Sequence, residues 1–259
     1  MTMERGAVES IAPPDEPSDP ETDRPVRRLI IAIDGPAGTG KSTVARQLAR
    51  RLGLEFLDTG AMYRAAAAIA IDAQVNLNNA EEIVRRTSEA DLHFDWTTDP
   101  PTLRAFGKSI MHRLRDADVS AAVSPVSGLA ALRRLMVETQ RRIGEAHPRL
   151  VSEGRDQGSV VFHDADVKFF LHASPRVRAE RRAEQLRSLG RAADVDKIER
   201  ELIERDERDS TRPVGPLVCP PDAIRVDTSL MSETEVVGQL ESLVRGHLGE
   251  GSGSGAATP

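Results

Sequence analysis

The stretch RLIIAIDGPAGTGKST, Arg28 to Thr43, constrains the fold of this chain more than any other. It opens with a compact apolar run ending at Asp34 and a Gly/Pro cluster, the pattern of a strand buried on both faces of a parallel sheet. GPAGTGKS (35–42) matches G-x-x-x-x-G-K-[ST]. After it Val44, Ala45, Leu48, Ala49 and Leu52 recur at helical spacing, and Gly53 supplies a stop. A loop between a strand and a helix start turns successive backbone N–H groups toward a phosphate at the positive end of the helix dipole. Gly35, Pro36, Ala37, Gly38, Thr39, Gly40, Lys41, Ser42 and Thr43 are therefore candidate phosphate-loop residues. Lys41 would meet the β and γ phosphates and Ser42 would hold Mg²⁺. Asp34 is either an aid to that metal or a strand-end carboxylate in a hydrogen-bonded turn.

LEFL (54–57) is a second candidate strand, followed by a helix from about Ala61 to Ala73. Strand, helix, strand, helix predicts a parallel α/β sheet. LHFDW, TLRAFG and KSIMHRL, between about Asp91 and Asp118, are short runs that predict a hairpin-rich insertion. Helical periodicity resumes from Val119 to Arg142, with Pro125 and Gly128 as expected interruptions. RLVS (149–152), VKFFLHA (167–173) and AIRVD (223–227) read as further parallel strands, and SETEVVGQLESLV as a closing helix capped by Ser232. An Arg/Glu-rich helical stretch runs from Pro175 to Arg212.

The formal net charge of −6 over 259 residues argues against a broad nucleic-acid-binding face. One cysteine, Cys219, leaves the fold independent of an internal disulfide. No apolar run approaches the roughly 18 residues of a membrane span, so a cytoplasmic location is expected. Residues 1–26, acidic and rich in proline, and 249–259, rich in Gly, Ser and Ala, are expected to be disordered. The six histidines are scattered and read as structural or surface residues.

A phosphate loop alone leaves a kinase, a GTP-dependent switch and an ATP-driven binding module open. Neither N-K-x-D nor D-x-x-G occurs, and no candidate strand ends in two acids. Phosphoryl transfer to a small molecule survives best. DTGAMYR (58–64) supplies groups suited to an anion: a hydroxyl on Thr59, the exposed N–H of Gly60 and the guanidinium of Arg64.

With LDTGAMYRA, Val119 and Ser124 spaced V-x(4)-S, LRR with Gln140 seven residues after Arg133, EGRDQGSVVF with DADVKFFL, ERDERDSTR and PPDAIRVDTS, the chain resembles the bacterial cytidylate kinases of the nucleoside monophosphate kinase family. The resemblance spans roughly residues 28–245. It implies a P-loop NTPase fold: α/β, with a five-stranded parallel sheet flanked by helices. Within a domain at 27–248 it implies an inserted monophosphate-binding region at about 60–148 and a lid with flanking helices at about 175–215. It implies that Thr59, Arg64 and Arg155 hold the acceptor phosphate, and that Ser124, Arg133 and Asp156 read the base. Arg212 also reaches the acceptor, Arg205 and Asp209 hold the sugar, and lid arginines, Arg178 and Arg182 here, reach the donor phosphates. Lys41, Arg155 and Arg182 would be the catalytic groups. Arg205, Asp209 and Arg212, spaced four and three apart, are expected on one helix face.

A carboxylate at Asp156 can accept from the cytosine amine while Arg133 and Ser124 donate to the ring acceptors, a physical reason to prefer cytosine over uracil. ATP, Mg²⁺, CMP and dCMP are the implied small molecules, acting on a monomer with no nucleic-acid or membrane partner. A kinase of another nucleoside monophosphate or small acceptor, or a non-catalytic nucleotide-binding protein, are the rival readings. Two positions depart from the family: Gln157 stands where an apolar residue is more usual, and Ser159 replaces a common threonine. Gln157 either loosens packing behind Asp156 or adds a polar contact.

Overall fold

The computed structural model describes residues 27–250 apart from Leu189. Residues 1–26 and those beyond Glu250, expected to be disordered, lie outside the described residues, whereas Gly249 and Glu250, placed in the same expected tail, are the last residues of a helix. Five strands, β1 (Leu29–Asp34), β2 (Glu55–Asp58), β6 (Arg149–Glu153), β7 (Val167–His172) and β8 (Ile224–Asp227), form a parallel sheet in the order β2-β6-β1-β7-β8. All six residues of β1 are buried, as expected of the central strand. Its side chains alternate between two cores: Ile30 joins the face covered by α2 (Thr59–Asp72), α4 (Ala117–Ser127) and α5 (Ala130–Ala146), while Leu29, Ile31 and Ile33 join that covered by α1 (Lys41–Leu52) and α8 (Glu233–Glu250).

The insertion between α2 and α4 contains a helix, α3 (Ala80–Glu89), and a three-stranded antiparallel sheet of β3 (His93–Asp95), β4 (Thr102–Ala105) and β5 (Lys108–Ser109). Only the first two residues of KSIMHRL are strand. Pro125 does not break α4; it sits in the last turn, and the chain leaves the helix at Gly128. The Arg/Glu-rich stretch folds as α6 (Pro175–Ser188) and α7 (Val195–Thr211), two helices packed on each other. Arg212 therefore lies just past α7, with an extended backbone (φ −62°, ψ 141°), and not on its face.

Ser232 caps α8 reciprocally. Its hydroxyl accepts from the Glu235 N–H at 3.3 Å, and Glu235 accepts from the Ser232 N–H at 2.8 Å. Ser232→Ala should lower stability by about 1 kcal/mol, read as a lower thermal midpoint.

Candidate active site

The site forms at the carboxyl edge of the parallel sheet, where the loops after β1, β2 and β6 meet α7. Gly35 is obligatory there: at φ +147° a Cβ would lie 2.0 Å from the Leu171 carbonyl oxygen of β7. The loop then turns through Gly38 and Gly40, both at positive φ, into α1. Lys41 is buried and its Nζ donates to the Pro36 carbonyl at 2.7 Å, with Thr39 Oγ1 at 3.4 Å. Thr39 Oγ1 itself donates to the Pro36 carbonyl, and Thr43 lies half-buried on the first turn of α1.

Around Lys41 stand Arg155 and Arg205. Burial and these two positive charges push the Lys41 ammonium down to about 7, against the opposing pull of Glu153 and Asp34. Arg205 is pushed down to about 10 by burial and by the charges of Arg155 and Arg64. Its buried Nε has no hydrogen-bond partner among the described residues. Arg155 Nε donates to Asp209 at 3.0 Å, and Arg64 sits 3.9 Å from Asp58. Burial alone would raise Asp209, but Arg155, Arg205 and Arg212 outweigh it and hold the carboxyl below its ordinary value. Thr59 is buried, its hydroxyl donating to the Glu153 carbonyl at 2.7 Å.

Beside this cationic cluster lies a cavity of about 330 Å³ lined by Ser124, Ser127, Gly128, Asp209, Arg212 and Pro213. Behind it Arg133 and Asp156 form a buried ion pair, and Arg212 Nη2 is 4.0 Å from the other Asp156 oxygen. Arg133 also lies over the Tyr63 ring, 5.3 Å from its centroid, and donates to the Ser127 carbonyl at 3.1 Å. Among the described residues, Ser124 Oγ, Arg133 Nε and Arg212 Nη2 are buried without a hydrogen-bond partner. Such atoms are uncommon in folded proteins, and their grouping here marks a place where a polar ligand would supply the missing bonds.

The cytidylate kinase sequence model matches residues 31–246. The chain belongs to the cytidylate kinase family. It is 43% identical over 223 residues to a cytidylate kinase of Mycobacterium leprae (strain Br4923), covering 84% of this chain and 96% of that one. It is 42% identical over 217 residues to a cytidylate kinase of Mycobacterium avium (strain 104), covering 84% and 95%. A bifunctional pantoate ligase/cytidylate kinase of Synechococcus sp. (strain WH7803) is 45% identical over 222 residues, which span 85% of this chain and 45% of that protein.

Within this cytidylate kinase fold the expected residues fall in four places. Lys41, Arg155, Arg205, Asp209 and Arg64 form the cationic cluster; Ser124 and Arg212 line the cavity, with the Arg133–Asp156 pair buried behind it. Arg178 is buried beneath the phosphate loop, donating to the carbonyls of Ala37 at 2.9 Å and Ala173 at 3.0 Å. Arg182 stays exposed on α6, 3.5 Å from Gln185, and makes no hydrogen bond with the cluster among the described residues.

EGRDQGSVVF leaves β6 at Glu153 and then forms a wide turn over Gln157–Val161, in which Val161 and Phe162 donate back five residues, to the carbonyls of Asp156 and Gln157. Both Asp34 oxygens are taken by this turn, accepting from Gln157 N at 2.8 Å and Gly158 N at 2.7 Å, so Asp34 is the hydrogen-bonded strand-end carboxylate. Burial lifts it to about 6. Gln157 adds polar contacts and does not loosen the packing: it accepts from Ser152 Oγ at 2.8 Å and donates to Gln140 at 3.2 Å.

Glu153 is a site residue that motif reading left without a role. Its Oε1 accepts from Ser42 Oγ at 2.7 Å, and its register partner on β2 is Asp58. Burial, with the Asp58 charge, raises it to about 7. No group of three or more His, Cys, Asp or Glu forms a metal cage among the described residues. A hard cation held through one hydroxyl, nearby carboxylates, water and phosphate oxygens needs none, so Ser42, Glu153 and Asp58 fit Mg²⁺.

Gly215 is the second glycine the site cannot replace. At φ +58° a Cβ would meet Asp156 Oδ2 at 2.3 Å and Arg133 Nη2 at 2.6 Å. Gly215→Ala should raise KM for CMP at least tenfold and leave KM for ATP within about twofold, since the clash falls on the Arg133–Asp156 pair behind the cavity and not on the phosphate loop. Steady-state kinetics with each substrate varied checks this.

Proposed function

We propose that the protein transfers the γ-phosphoryl group of ATP to CMP and dCMP, yielding ADP and CDP or dCDP. The observation that carries this reading is the convergence of Lys41, Arg155 and Arg205 on one space, close enough that each charge disturbs its neighbours. A cluster so costly to assemble becomes favourable when phosphate oxygens neutralise it. The phosphate loop takes the donor. Arg64 and Arg155 fork onto the acceptor phosphate, while Thr59, whose hydroxyl already bonds the Glu153 carbonyl, contributes from the first turn of α2.

In this reading the cytosine ring occupies the 330 Å³ cavity. Asp156 accepts from its amino group, Ser124 and Arg133 donate to its ring acceptors, Arg212 also reaches the nucleotide, and Arg205 with Asp209 holds the sugar. No general base is required: the acceptor is a phosphate monoester with second pKa about 6, largely ionised at neutral pH. Catalysis is positioning and charge stabilisation by Lys41 and the arginines. Ser42, with Glu153 and Asp58 nearby, would hold Mg²⁺, which would supply positive charge against that developing on the phosphates.

Residues 60–148 then serve as the monophosphate-binding region and 175–215 as a lid that closes on the donor. Closure would bring Arg182 inward and exclude water that could hydrolyse ATP. Arg178 contributes by holding the loop. We place this activity in the cytoplasm, on a monomer. Among the described residues no helix is long and apolar enough to cross a membrane. An ADP-release assay with CMP, dCMP, UMP and AMP tests the reading. Fastest release with CMP or dCMP is expected. Fastest release with AMP would favour another monophosphate kinase, and none with any acceptor would favour a non-catalytic nucleotide binder.

A further inference from the structure

One contact ties the two halves of the site together. Asp206, on α7, accepts from the Ala37 N–H of the phosphate loop at 3.2 Å and receives Arg178 Nη1 at 2.6 Å on its other oxygen. The same Arg178 nitrogen donates to the Ala37 carbonyl, so Ala37 is gripped at both of its backbone polar groups. Arg178 reaches this position because α6 abuts the loop: a Cβ on Gly38 would lie 3.2 Å from Arg178 Cβ. The next residues along α7 that face the cluster are Arg205, immediately before Asp206, and Asp209, one turn on.

We propose that Asp206 is a positioning residue that latches the acceptor-gripping helix α7 to the phosphate loop and so couples binding of donor and acceptor. Ala37 lies on the strand side of the loop. The Asp206 bond therefore does not use the N–H groups from Gly40 to Thr43, which open α1 and can face a phosphate. An anion that draws the loop into its bound shape pulls on Asp206, and with it on Arg205 and Asp209. Filling the acceptor site fixes α7 and, through the same bond, the loop. Coupling of this kind is reciprocal: whatever factor the donor adds to acceptor affinity, the acceptor adds to donor affinity.

The inference rests on the reading of CMP and ATP as substrates, and the test separates the two. CMP affinity is measured by calorimetry on the full chain, with and without Mg²⁺ and a non-hydrolysable ATP analogue. Wild type should bind CMP at least about fivefold more tightly with the analogue present. In Asp206→Ala that ratio should fall to about one, with the thermal midpoint showing that the chain is folded. Should the alanine variant fail to fold, Asp206→Asn takes its place; it can still accept from Ala37 but has lost its charge for Arg178, and its ratio should fall at least halfway toward one. A ratio of one in wild type, or an unchanged ratio in the folded variant, overturns the latch while leaving the proposed reaction intact. Wild-type protein that binds neither CMP nor the analogue overturns both.

Discussion

Lys41→Ala should lower kcat for phosphoryl transfer by about a thousandfold while leaving the fold intact and KM for CMP within a few-fold of wild type. Lys41 is the ammonium on the phosphate loop itself, held buried by the Pro36 carbonyl and aimed into a space already crowded by Arg155 and Arg205. Alanine removes charge where the transferring group develops it, so the loss belongs in kcat. Stability should move the other way. The folded chain holds this group near 7 against an ordinary value of 10.5, so the stability it removes grows as pH falls through that window and is near its full extent at pH 7. The variant should therefore unfold at no lower temperature than wild type at pH 7, and any advantage should fade above pH 10.5. Retention of most of kcat would remove Lys41 from the chemistry.

Asp156→Asn should narrow the preference for CMP over UMP by about ten- to a hundredfold in kcat/KM, the worth of about 1–3 kcal/mol of base discrimination. As a carboxylate, Asp156 can only accept, which suits the amino group of cytosine and opposes the carbonyl of uracil. An amide can present either edge. Because Asp156 sits buried between Arg133 and Arg212, the substitution also leaves guanidinium groups short of a counter-charge, and the thermal midpoint should fall. The ratio of two kcat/KM values, taken below that midpoint on one preparation, is insensitive to the fraction folded. An unchanged ratio would take Asp156 out of base reading.

The parallel sheet was legible because each strand is written locally, as an apolar run closed by Gly, Pro or an acid, and the helix after the phosphate loop by its period. The residues that the fold gathers at the sheet edge were singled out in the sequence because they arrive in compact motifs; their roles remain proposals. What escaped depends on distant partners. Nothing about Glu153 announces that Ser42, 111 positions earlier, donates to it, and Asp206 looks like one more charge on a solvated helix until the Ala37 N–H is found beside it. The wide turn at Gln157–Val161 has no period to read. Helix α3 did carry a signal, Asn79 capping Glu82 with acids in the first turn, but its buried face is only Ile83 and Thr87 and yields too short a pattern to notice. Arg212 was misplaced because spacing alone extends a helix that in fact ends at Thr211, freeing Arg212 to donate to the Gly215 carbonyl.

The central claim, that a cationic phosphate cluster and a cytosine-reading cavity act together, is tested most directly by competition. Phosphorus NMR can follow one mixture of the enzyme, Mg²⁺, ATP and equimolar CMP, UMP and AMP, in which the relative rates of product appearance are the relative kcat/KM values. CDP should form first and by at least tenfold over UDP, with ADP produced only as the spent donor in step with it. UDP forming as fast as CDP, or AMP consumed ahead of CMP, would contradict the account.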